Sequence, residues 1–271
     1  MQIKDKVFVV TGGGNGIARE VVLQLLAKGA RVAALDLSEK GLAETVGLAN
    51  AGDRLTTHVI NVTDRAAVEA LPAIIRAKHG AIDGLLNIAG IIHRFAPISE
   101  LSVEEIEKVI NINYWGTVYT VKAFLPELLA RPEAVLLDFS SMGGLVPVPG
   151  QGAYGSSKAA VKLFTETLFA ELQGTNVHVT VVFPGGVSTN ITGNSGVGLP
   201  GGMSAEKAAE MAKKVKTTTP QEAARLTVEA IEKNTPRLLI GGDAKSLDRI
   251  GRLMPTRAIK IVAERMKAIL G

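Results

Sequence analysis

The fold of this chain is decided by residues 7–18, which read Val-Phe-Val-Val-Thr-Gly-Gly-Gly-Asn-Gly-Ile-Ala. The apolar run predicts a buried strand over Val7–Thr11, and a helical pattern follows over Ile17–Lys28. Glycines between them let the backbone turn sharply and approach a phosphate, whose charge is favoured by the helix N-terminus. A plain tight turn would explain the same glycines. The order strand, glycine-rich turn and helix nevertheless predicts a nucleotide-binding unit.

The rest of the chain repeats this alternation of short strands and longer helices. The predicted strands are Val7–Thr11, Arg31–Asp36, Leu55–Asn61, Gly84–Asn87, Ala134–Ser140, Val177–Phe183 and Leu238–Ile240. The predicted helices are Ile17–Lys28, Ala66–His79, Val103–Asn113, Gly116–Ala130, Ala153–Leu172 and Gln221–Lys233. Such alternation predicts an α/β fold, a single doubly wound (Rossmann-type) domain. We expect a mostly parallel seven-stranded sheet with helices on both faces, whose ligands bind at the carboxyl ends of the strands.

The positive charge of the chain is concentrated at its C-terminal end. The net charge is +4, and residues 243–271 alone hold seven Lys or Arg against three acidic residues. We therefore divide the chain into a catalytic domain, 1–242, and a basic amphipathic helical extension of the same domain, 243–271. The apolar stripe of the extension consists of Ile259, Val262, Met266 and Ile269. It either packs on the domain, which we favour, or docks on an acidic membrane surface.

Composition excludes several classes of protein. The absence of cysteine rules out disulfides and thiolate nucleophiles. Aromatic residues are only 4% and the charge outside the extension sums to zero, which argues against a nucleic-acid partner. No apolar run approaches the ~20 residues of a membrane-spanning helix. Residues 1–6 lead straight into the first strand without a signal peptide, so we expect a cytoplasmic protein.

The histidines do not predict a metal site. His58, His79, His93 and His178 lack the spacing of metal ligands. His93 follows the fourth predicted strand closely, where it would either border the pocket or lie in a surface loop, and we favour the loop. We therefore predict a site that works without a bound metal.

Asp36 ends the second predicted strand, about twenty residues beyond the glycine turn. An acid at this place can accept hydrogen bonds from ribose hydroxyls, although an ordinary turn aspartate is the alternative. At ~4 Å and an effective dielectric constant of 20, a carboxylate repels a phosphate charge by about 4 kcal/mol. Neither Asn15 nor Leu37 supplies a compensating cation. The sequence therefore predicts NAD as the cofactor rather than NADP.

Tyr154 and Lys158 are four residues apart at the start of the helix that follows the fifth strand, so they share one helical face. A cation ~5 Å from a phenol lowers its pKa by roughly two units, which makes tyrosine a more effective base. Ser141, just after the fifth strand, can hold a substrate oxygen, and Asn113 lies between two helical stretches. The alternatives are surface residues of a helix, a turn serine and an asparagine that kinks a helix.

Taken together, these motifs resemble those of the short-chain dehydrogenase/reductase family from about Asp5 to Ile240. The glycine turn resembles its T-G-x-x-x-G-x-G motif, and residues 87–90, Asn-Ile-Ala-Gly, resemble its N-N-A-G. Residues 184–189, Pro-Gly-Gly-Val-Ser-Thr, resemble its P-G-x-V-x-T segment. Asn113, Ser141, Tyr154 and Lys158 fall on its catalytic tetrad in order. Three positions depart from the family pattern, namely Asn61, Ile88 and Ala18, and none of them removes a catalytic atom.

The resemblance implies a role for each of these residues. Tyr154 would exchange the proton with the substrate oxygen, Ser141 would position that oxygen, and Lys158 would lower the tyrosine pKa and bind the nicotinamide ribose. Asn113 would hold a water that links Lys158 to solvent. The implied cofactor-binding residues are Gly12, Asn15, Gly16, Ile17, Asp36, Leu37, Asn61, Val62, Asn87, Ala89, Gly90, Tyr154, Lys158, Pro184, Gly185, Val187 and Thr189.

These observations predict an NAD-dependent oxidoreductase that moves a hydride between the cofactor and a secondary alcohol or ketone. Residues 145–148, Leu-Val-Pro-Val, would border the pocket and favour a substrate with apolar surface. The glycine-rich stretch Asn190–Gly202 is typical of a mobile loop, either a substrate lid or a surface excursion. We expect a homotetramer or homodimer joined through helices Gly116–Ala130 and Ala153–Leu172. The alternatives are a catalytically idle NAD-binding regulator and a membrane-docked scaffold.

Overall fold

The computed structural model describes residues 1–189, 191–197 and 217–270 and contains one seven-stranded sheet. Every pair of neighbouring strands is parallel, in the order β3-β2-β1-β4-β5-β6-β7. The strands are β1 (Val7–Thr11), β2 (Arg31–Asp36), β3 (Leu55–Val59), β4 (Gly84–Asn87), β5 (Ala134–Phe139), β6 (Val177–Pro184) and β7 (Arg237–Ile240). The predicted doubly wound fold is confirmed, and the sheet is wholly rather than mostly parallel.

The described helices flank this sheet. They are α1 (Gly16–Ala27), α2 (Glu39–Ala49), α3 (Arg65–His79), α4 (Val103–Ile110), α5 (Gly116–Leu129), α6 (Gly152–Glu171), α7 (Ile191–Asn194), α8 (Pro220–Glu232), α9 (Gly242–Leu253) and α10 (Pro255–Leu270). Short 3₁₀ turns cover Gly52–Arg54, Ile98–Glu100 and Met142–Gly144, and a π-helical turn covers Asn111–Trp115. This π turn joins α4 to α5.

Alternate residues of each strand bury their side chains on opposite faces of the sheet. Phe8 and Val10 lie in a cluster with α1 and α8, whereas Val9 between them lies in a second cluster with α3 and α5. Both faces are therefore apolar, as a parallel sheet between two helical layers requires. The order of the strands reverses between β1 and β4, which opens a crevice at their carboxyl ends.

Three elements differ from the prediction. Helix α2 was not predicted, because its sequence contains two glycines and its buried face is a short stretch around Leu42 and Thr45. Ser38 caps this helix, since its Oγ accepts from Gly41 N at 3.0 Å. Strand β3 ends at Val59 rather than Asn61, because its one partner, β2, ends at Asp36, opposite Val59. Helix α4 ends at Ile110 and not at Asn113, because the chain enters the π turn.

The C-terminal extension forms α9 and α10, which follow β7 directly. Ala258, Val262 and Met266 of α10 pack with Leu247 of α9 and with Leu145, Val146 and Val148, so an apolar side of α10 contacts the domain. Ile259 lies outside this contact with 45% of its surface exposed, and the side chain of Ile269 is outside the described residues. Of the helices in the described ranges, none combines the length and apolarity needed to cross a bilayer.

The glycine-rich stretch predicted as a mobile loop is described only in part. Residues 191–194 form the short helix α7, and the chain can be followed to Val197. Asn190 and residues 198–202 lie outside the described residues. The choice between a lid and a surface excursion therefore stays a prediction.

Candidate active site

A cavity of about 350 Å³ runs along the carboxyl ends of β1, β2, β4, β5 and β6. This position is the crevice that the reversal of strand order creates. Nearly all residues implied to bind the cofactor line it, namely Gly12, Asn15, Gly16, Ile17, Asp36, Leu37, Asn61, Val62, Ala89, Gly90, Tyr154, Lys158, Pro184, Gly185, Val187 and Thr189. The volume lies in the range of small-molecule and cofactor sites.

The glycine turn fits a pyrophosphate because its backbone has no room for side chains. Gly12 has a φ of +79°, and a Cβ on it would lie 3.1 Å from the backbone nitrogen of Ala89. Thr11 Oγ1 accepts from Ile88 N at 3.0 Å and from Ala89 N at 3.1 Å, which joins the ends of β1 and β4. Helix α1 then begins at Gly16 with no acidic residue in its first turn, so nothing there opposes an anion at the positive end of the helix dipole.

Asp36 is held at the wall of this cavity by two backbone amides. Its Oδ2 accepts from Gly14 N at 2.9 Å and its Oδ1 accepts from Ser38 N at 2.8 Å. A Cβ on Gly14 would lie 2.8 Å from the Asp36 carboxyl carbon, so the turn and the carboxylate are packed together. Each carboxylate oxygen keeps a further lone pair for a ribose hydroxyl. The residues present therefore fit an adenosine ribose as well as a pyrophosphate.

Arg19 is a cation close to the glycine turn, but it is already paired. Its Nη2 donates to Glu44 Oε2 at 2.8 Å, to Gly41 O at 3.2 Å and to Gly14 O. Its Nε donates to Thr45 Oγ1 at 3.1 Å. The guanidinium thus braces the turn against α2, and its charge is opposed by a carboxylate.

Asn87 is the one implied cofactor residue that does not line the cavity. Its side chain is buried, with Nδ2 donating to Asp138 Oδ1 at 2.8 Å and Oδ1 accepting from Thr120 Oγ1 at 2.8 Å. Asn61 lies at the opposite extreme, since it is exposed and its Oδ1 accepts from Thr63 N at 3.0 Å. Asn87 consequently joins β4, β5 and α5 below the cavity floor.

Three of the four predicted catalytic residues, Ser141, Tyr154 and Lys158, line one end of the cavity, between the end of β5 and the start of α6. We call this end of the cavity the corner. Lys158 Nζ lies 6.0 Å from the centroid of the Tyr154 ring and donates to Phe139 O at 2.8 Å. Burial lowers the pKa of Lys158 to about 8, and the charge of Asp138 acts against this shift. Ser141 Oγ accepts from Gly143 N at 3.1 Å, which leaves the hydroxyl hydrogen for another acceptor.

The pKa of Tyr154 differs from the sequence argument. Burial raises this pKa above its usual value, and a hydrogen bond with Ser141 partly opposes the shift. Lys158 does not oppose this shift as the sequence argument expected: its ammonium lies 6.0 Å from the centroid of the Tyr154 ring and donates to Phe139 O. In this arrangement the protonated form of Tyr154 is the stable one, and its pKa would be lowered only by a positive charge brought into the cavity.

The fourth predicted residue, Asn113, lies behind this corner in the π turn and is fully buried. Its Oδ1 accepts from Ile91 N at 2.8 Å, and its Nδ2 donates to Ile91 O and to Ser157 Oγ at 2.9 Å each. A Cβ on Gly90 would lie 3.1 Å from Asn113 Oδ1 and 3.2 Å from Lys158 Nζ. Gly90 therefore allows the amide and the ammonium to approach the same point. Such π turns inside helices often mark functional sites.

Two sequence expectations about the pocket are wrong. His93 is buried rather than in a surface loop, and its Nε2 accepts from Ala153 N at 3.2 Å. Residues 145–148 do not line the cavity; Val146 is buried among residues of α10, and Pro147 is exposed. The cause is the C-terminal extension, which covers this segment. Its apolar character therefore reflects packing, and it carries no information about the substrate.

Sequence reasoning also missed two residues of the corner. Asp138 is a fully buried acid, and its signal was a carboxylate within the otherwise apolar strand Ala134–Phe139. Ser157, which holds Asn113, gave no signal beyond its place between Tyr154 and Lys158. In the described ranges, no group of three or more His, Asp or Glu side chains is arranged to hold a metal ion.

Comparison with known proteins agrees with this geometry. A sequence model of the short chain dehydrogenase family matches residues 6–200. The chain is 35% identical to the putative oxidoreductase SadH of Mycobacterium tuberculosis over 264 residues, which cover 96% of this chain and 95% of that protein. It is 33% identical to the 3-oxoacyl-[acyl-carrier-protein] reductase FabG of Thermotoga maritima, covering 71% of this chain and 78% of that one.

Solved structures show the same relationship. A short chain dehydrogenase/reductase from Burkholderia phymatum in complex with NAD superposes with a TM-score of 0.83 at 26% identity, covering 93% of this chain and 94% of that one. Levodione reductase superposes with a TM-score of 0.81 at 25% identity, covering 90% and 98% respectively. This chain therefore belongs to the short-chain dehydrogenase/reductase family of oxidoreductases.

Proposed function

We propose that this protein is an NAD-dependent oxidoreductase that interconverts a secondary alcohol and the corresponding ketone. The observation that carries the proposal is that Ser141, Tyr154 and Lys158 line the same cavity as the glycine turn and Asp36. A nicotinamide cofactor held there would supply or accept the hydride. The names of two similar proteins, 3-oxoacyl-[acyl-carrier-protein] reductase and levodione reductase, support carbonyl reduction as the class of reaction.

The protein's own part in the reaction is to orient the substrate and move one proton. In the direction of oxidation, Tyr154 Oη takes the proton of the substrate hydroxyl; in reduction it returns a proton to the carbonyl oxygen. Ser141 Oγ accepts from Gly143 N, so its own hydrogen, which bonds Tyr154 in this structure, would be donated to a bound substrate oxygen and stabilise the charge that develops there. Lys158 would contact the ribose of a bound cofactor, and its ammonium, 6.0 Å from the centroid of the Tyr154 ring, would favour the deprotonated form of Tyr154 once it is freed from Phe139 O. Asn113 serves the proton path by fixing the Ile91 peptide, which follows the Gly90 that both Asn113 and Lys158 approach.

NAD is the proposed cofactor rather than NADP. The Asp36 carboxylate is fixed by Gly14 N and Ser38 N at the cavity wall, where it would repel a 2′-phosphate. Arg19, which would otherwise compensate, is paired with Glu44 at 2.8 Å. Leu37 is 69% exposed beside the cavity and offers no charge. The local charge thus favours a free 2′-hydroxyl.

The proposed substrate has apolar surface next to the reacting carbon. Ile91, Val187 and Ile191 line the cavity and supply this apolar surface, whereas residues 145–148 do not line it. Apolar lining with few polar groups is typical of sites that bind small organic molecules.

We also propose that the protein works as a homodimer or homotetramer. Large apolar side chains are exposed on α5 and α6 and at the end of the π turn that precedes α5: Trp115 (43%), Leu129 (43%), Leu163 (65%) and Phe169 (41%). Exposed apolar side chains on adjacent helices are typical of interfaces between subunits. Light scattering of the wild type and of Leu163→Asp tests this, and a monomer in both would contradict it.

The first experiment measures NADH formation and consumption over a panel of alcohols and ketones, with Tyr154→Phe as the control variant. We expect turnover with NAD that is higher than with NADP and that falls by roughly 10³-fold in the variant, since general acid–base catalysis contributes about 10²–10⁴-fold. Calorimetry should show that both proteins bind NAD. Turnover that survives in Tyr154→Phe would overturn the assigned acid–base role. NAD binding without turnover on the whole panel would favour the idle regulator.

A further inference from the structure

Asp138 is a fully buried carboxylate that the proposed reaction does not use. It lies in β5, and its hydrogen-bond partners are neutral: Asn87 Nδ2 at 2.8 Å and Thr165 Oγ1 at 2.9 Å. Within the described ranges, no lysine, arginine or histidine nitrogen comes within 4.0 Å of it. Burying a charge without an ion pair is costly, and burial raises the pKa of Asp138 to about 6. The cost of burying Asp138 without an ion pair indicates that this carboxylate has a role beyond filling the core.

A second buried aspartate shows what an ordinary structural role looks like. Asp83, just before β4 at the other end of the sheet, is 1% exposed. It accepts from Arg131 Nε at 2.8 Å and from Val7 N at 2.9 Å, and Lys6 Nζ lies 3.6 Å away. Two cations thus compensate its charge, as is usual for a buried acid. Asp138 lacks this compensation at contact distance.

The charge that acts on Asp138 is that of Lys158. Lys158 and Thr165 are seven residues apart on α6, so both point from one face of this helix toward β5. Thr165 contacts Asp138 directly, whereas Lys158 Nζ bonds the carbonyl of the next residue, Phe139. Asp138 and Lys158 each favour the charged form of the other. The remaining groups around Lys158 are the Tyr154 phenol on α6 and the neutral amide of Asn113 in the π turn.

Asp138 also fixes a row of polar side chains under the cavity. Its Oδ1 accepts from Asn87 Nδ2, and Asn87 Oδ1 accepts from Thr120 Oγ1 of α5. The row runs from α6 through β5 and β4 to α5. These residues hold the strands on either side of the crevice, and Asn87 is thereby turned away from the cavity.

We propose that Asp138 is a positioning residue for Lys158: its negative charge keeps the ammonium protonated at the base of the cavity, while its hydrogen bonds hold β4 against β5. This inference rests on the proposed function, because Lys158 supports Tyr154 only as a cation. Without Asp138, burial alone would act on Lys158 and its neutral form would gain at working pH. A carboxylate too far away to form an ion pair raises the pKa of the ammonium without immobilising it.

The test is Asp138→Asn in the full chain. The variant is expected to fold, because the hydrogen bonds of the polar row can reverse their direction. The new side-chain amide would donate to Asn87 Oδ1, and Asn87 Nδ2 would donate to Thr120 Oγ1. The Thr120 hydroxyl would still donate to Gly116 O. The first measurement is the pH dependence of Lys158 acylation by acetic anhydride without cofactor, followed by mass spectrometry. Lys158 is only 5% exposed but lines the cavity, through which we expect a small reagent to reach it. We expect a midpoint near pH 8 in the wild type and a fall of roughly one unit in the variant.

A matched variant and a second measurement separate this role from a structural one. Asp83→Asn makes the same change at the same burial, and we expect it to lower thermal stability without moving the Lys158 midpoint. In turnover assays, the alkaline limb of kcat should move to lower pH in Asp138→Asn by the same amount. An unchanged Lys158 midpoint in Asp138→Asn, or an equal shift in Asp83→Asn, would overturn the proposal. Acylation needs no turnover, so a silent substrate panel would count against the proposed function alone.

Discussion

The two ends of the cavity are built in different ways. The turn after β1 is made of backbone amides and one carboxylate, Asp36, all between Thr11 and Ser38. The corner after β5 is made of side chains from β4, the π turn, β5 and α6, which are spread over residues 87–165. The first is a local motif, whereas the second exists only once distant elements have packed together. Changes at the turn should therefore alter cofactor binding, and changes at the corner should alter chemistry or stability.

The largest expected effect is at the corner, in Ser141→Ala. Ser141 is the group assigned to the substrate oxygen, and loss of one such donor costs about 10²–10³-fold in kcat. The KM for the cofactor should stay within a few-fold. Steady-state kinetics with the best substrate of the panel measures both values.

Ser140→Ala is the matched control on the neighbouring residue. Ser140 Oγ donates to the main-chain carbonyl of Lys158 at 2.7 Å, so its loss should cost about 1 kcal/mol of stability with little change in kcat. Equal losses of activity in Ser141→Ala and Ser140→Ala would contradict the assignment of Ser141 to the substrate oxygen and of Ser140 to a structural role.

Asn113→Ala should produce the next largest effect, on stability. The change leaves the amide and carbonyl of Ile91 without their buried partner, which we expect to cost about 3 kcal/mol. Chemical denaturation of the cofactor-free protein measures this loss. Asn61→Ala, at an exposed side chain near the turn, should change the free energy of unfolding by less than about 1 kcal/mol. Equal losses of unfolding free energy in Asn113→Ala and Asn61→Ala would contradict the conclusion that the corner depends more on tertiary contacts than the turn does.

At the turn, Asp36→Asn should change the choice of cofactor. Removing the charge abolishes the repulsion of a 2′-phosphate, so we expect the ratio of kcat/KM for NAD to that for NADP to fall by roughly 10- to 100-fold. Most of the change should lie in KM. Glu39→Gln, in the first turn of the neighbouring helix α2, is the charge-matched control and should leave the ratio unchanged. A ratio that does not move in Asp36→Asn would refute the basis of NAD preference.

The smallest expected effect lies away from both regions, at His79. Burial and the positive charge of Arg31 lower the pKa of His79 to about 4, while Arg31 Nε donates to its Nδ1 at 3.2 Å. A lowered pKa in the folded state means that stability is complete above the unfolded value of ~6.5 and is lost as pH falls toward 4. We expect His79 to account for about 2 kcal/mol of this loss.

Denaturation midpoints of the wild type and of His79→Gln, measured between pH 7 and 4.5, give this contribution as the difference between the two slopes of midpoint against pH. A wild-type slope in His79→Gln would mean that the histidine is protonated in the folded state without cost.

Much of the fold could be predicted because its signals are local. Alternating apolar strands and amphipathic helices appear in the sequence whatever the neighbours are, and every strand except β3 was predicted to within one residue of both ends. Helix α2 was missed because two glycines and a short buried face hide its period. The end of α4 was missed because a π turn depends on Asn113 reaching Ile91, which no local pattern reveals.

The sequence by itself determined the doubly wound fold, the glycine turn and the candidates Asp36, Ser141, Tyr154 and Lys158, since each stands at a fixed distance from a strand end. Only the tertiary structure decided which groups face the cavity. In the folded chain Asn87 bonds Asp138, His93 is buried, Val146 packs against α10, and Lys158 donates to Phe139 O. The physical reason is that periodicity records how a segment packs, whereas the protonation and orientation of a polar side chain depend on partners from distant parts of the chain.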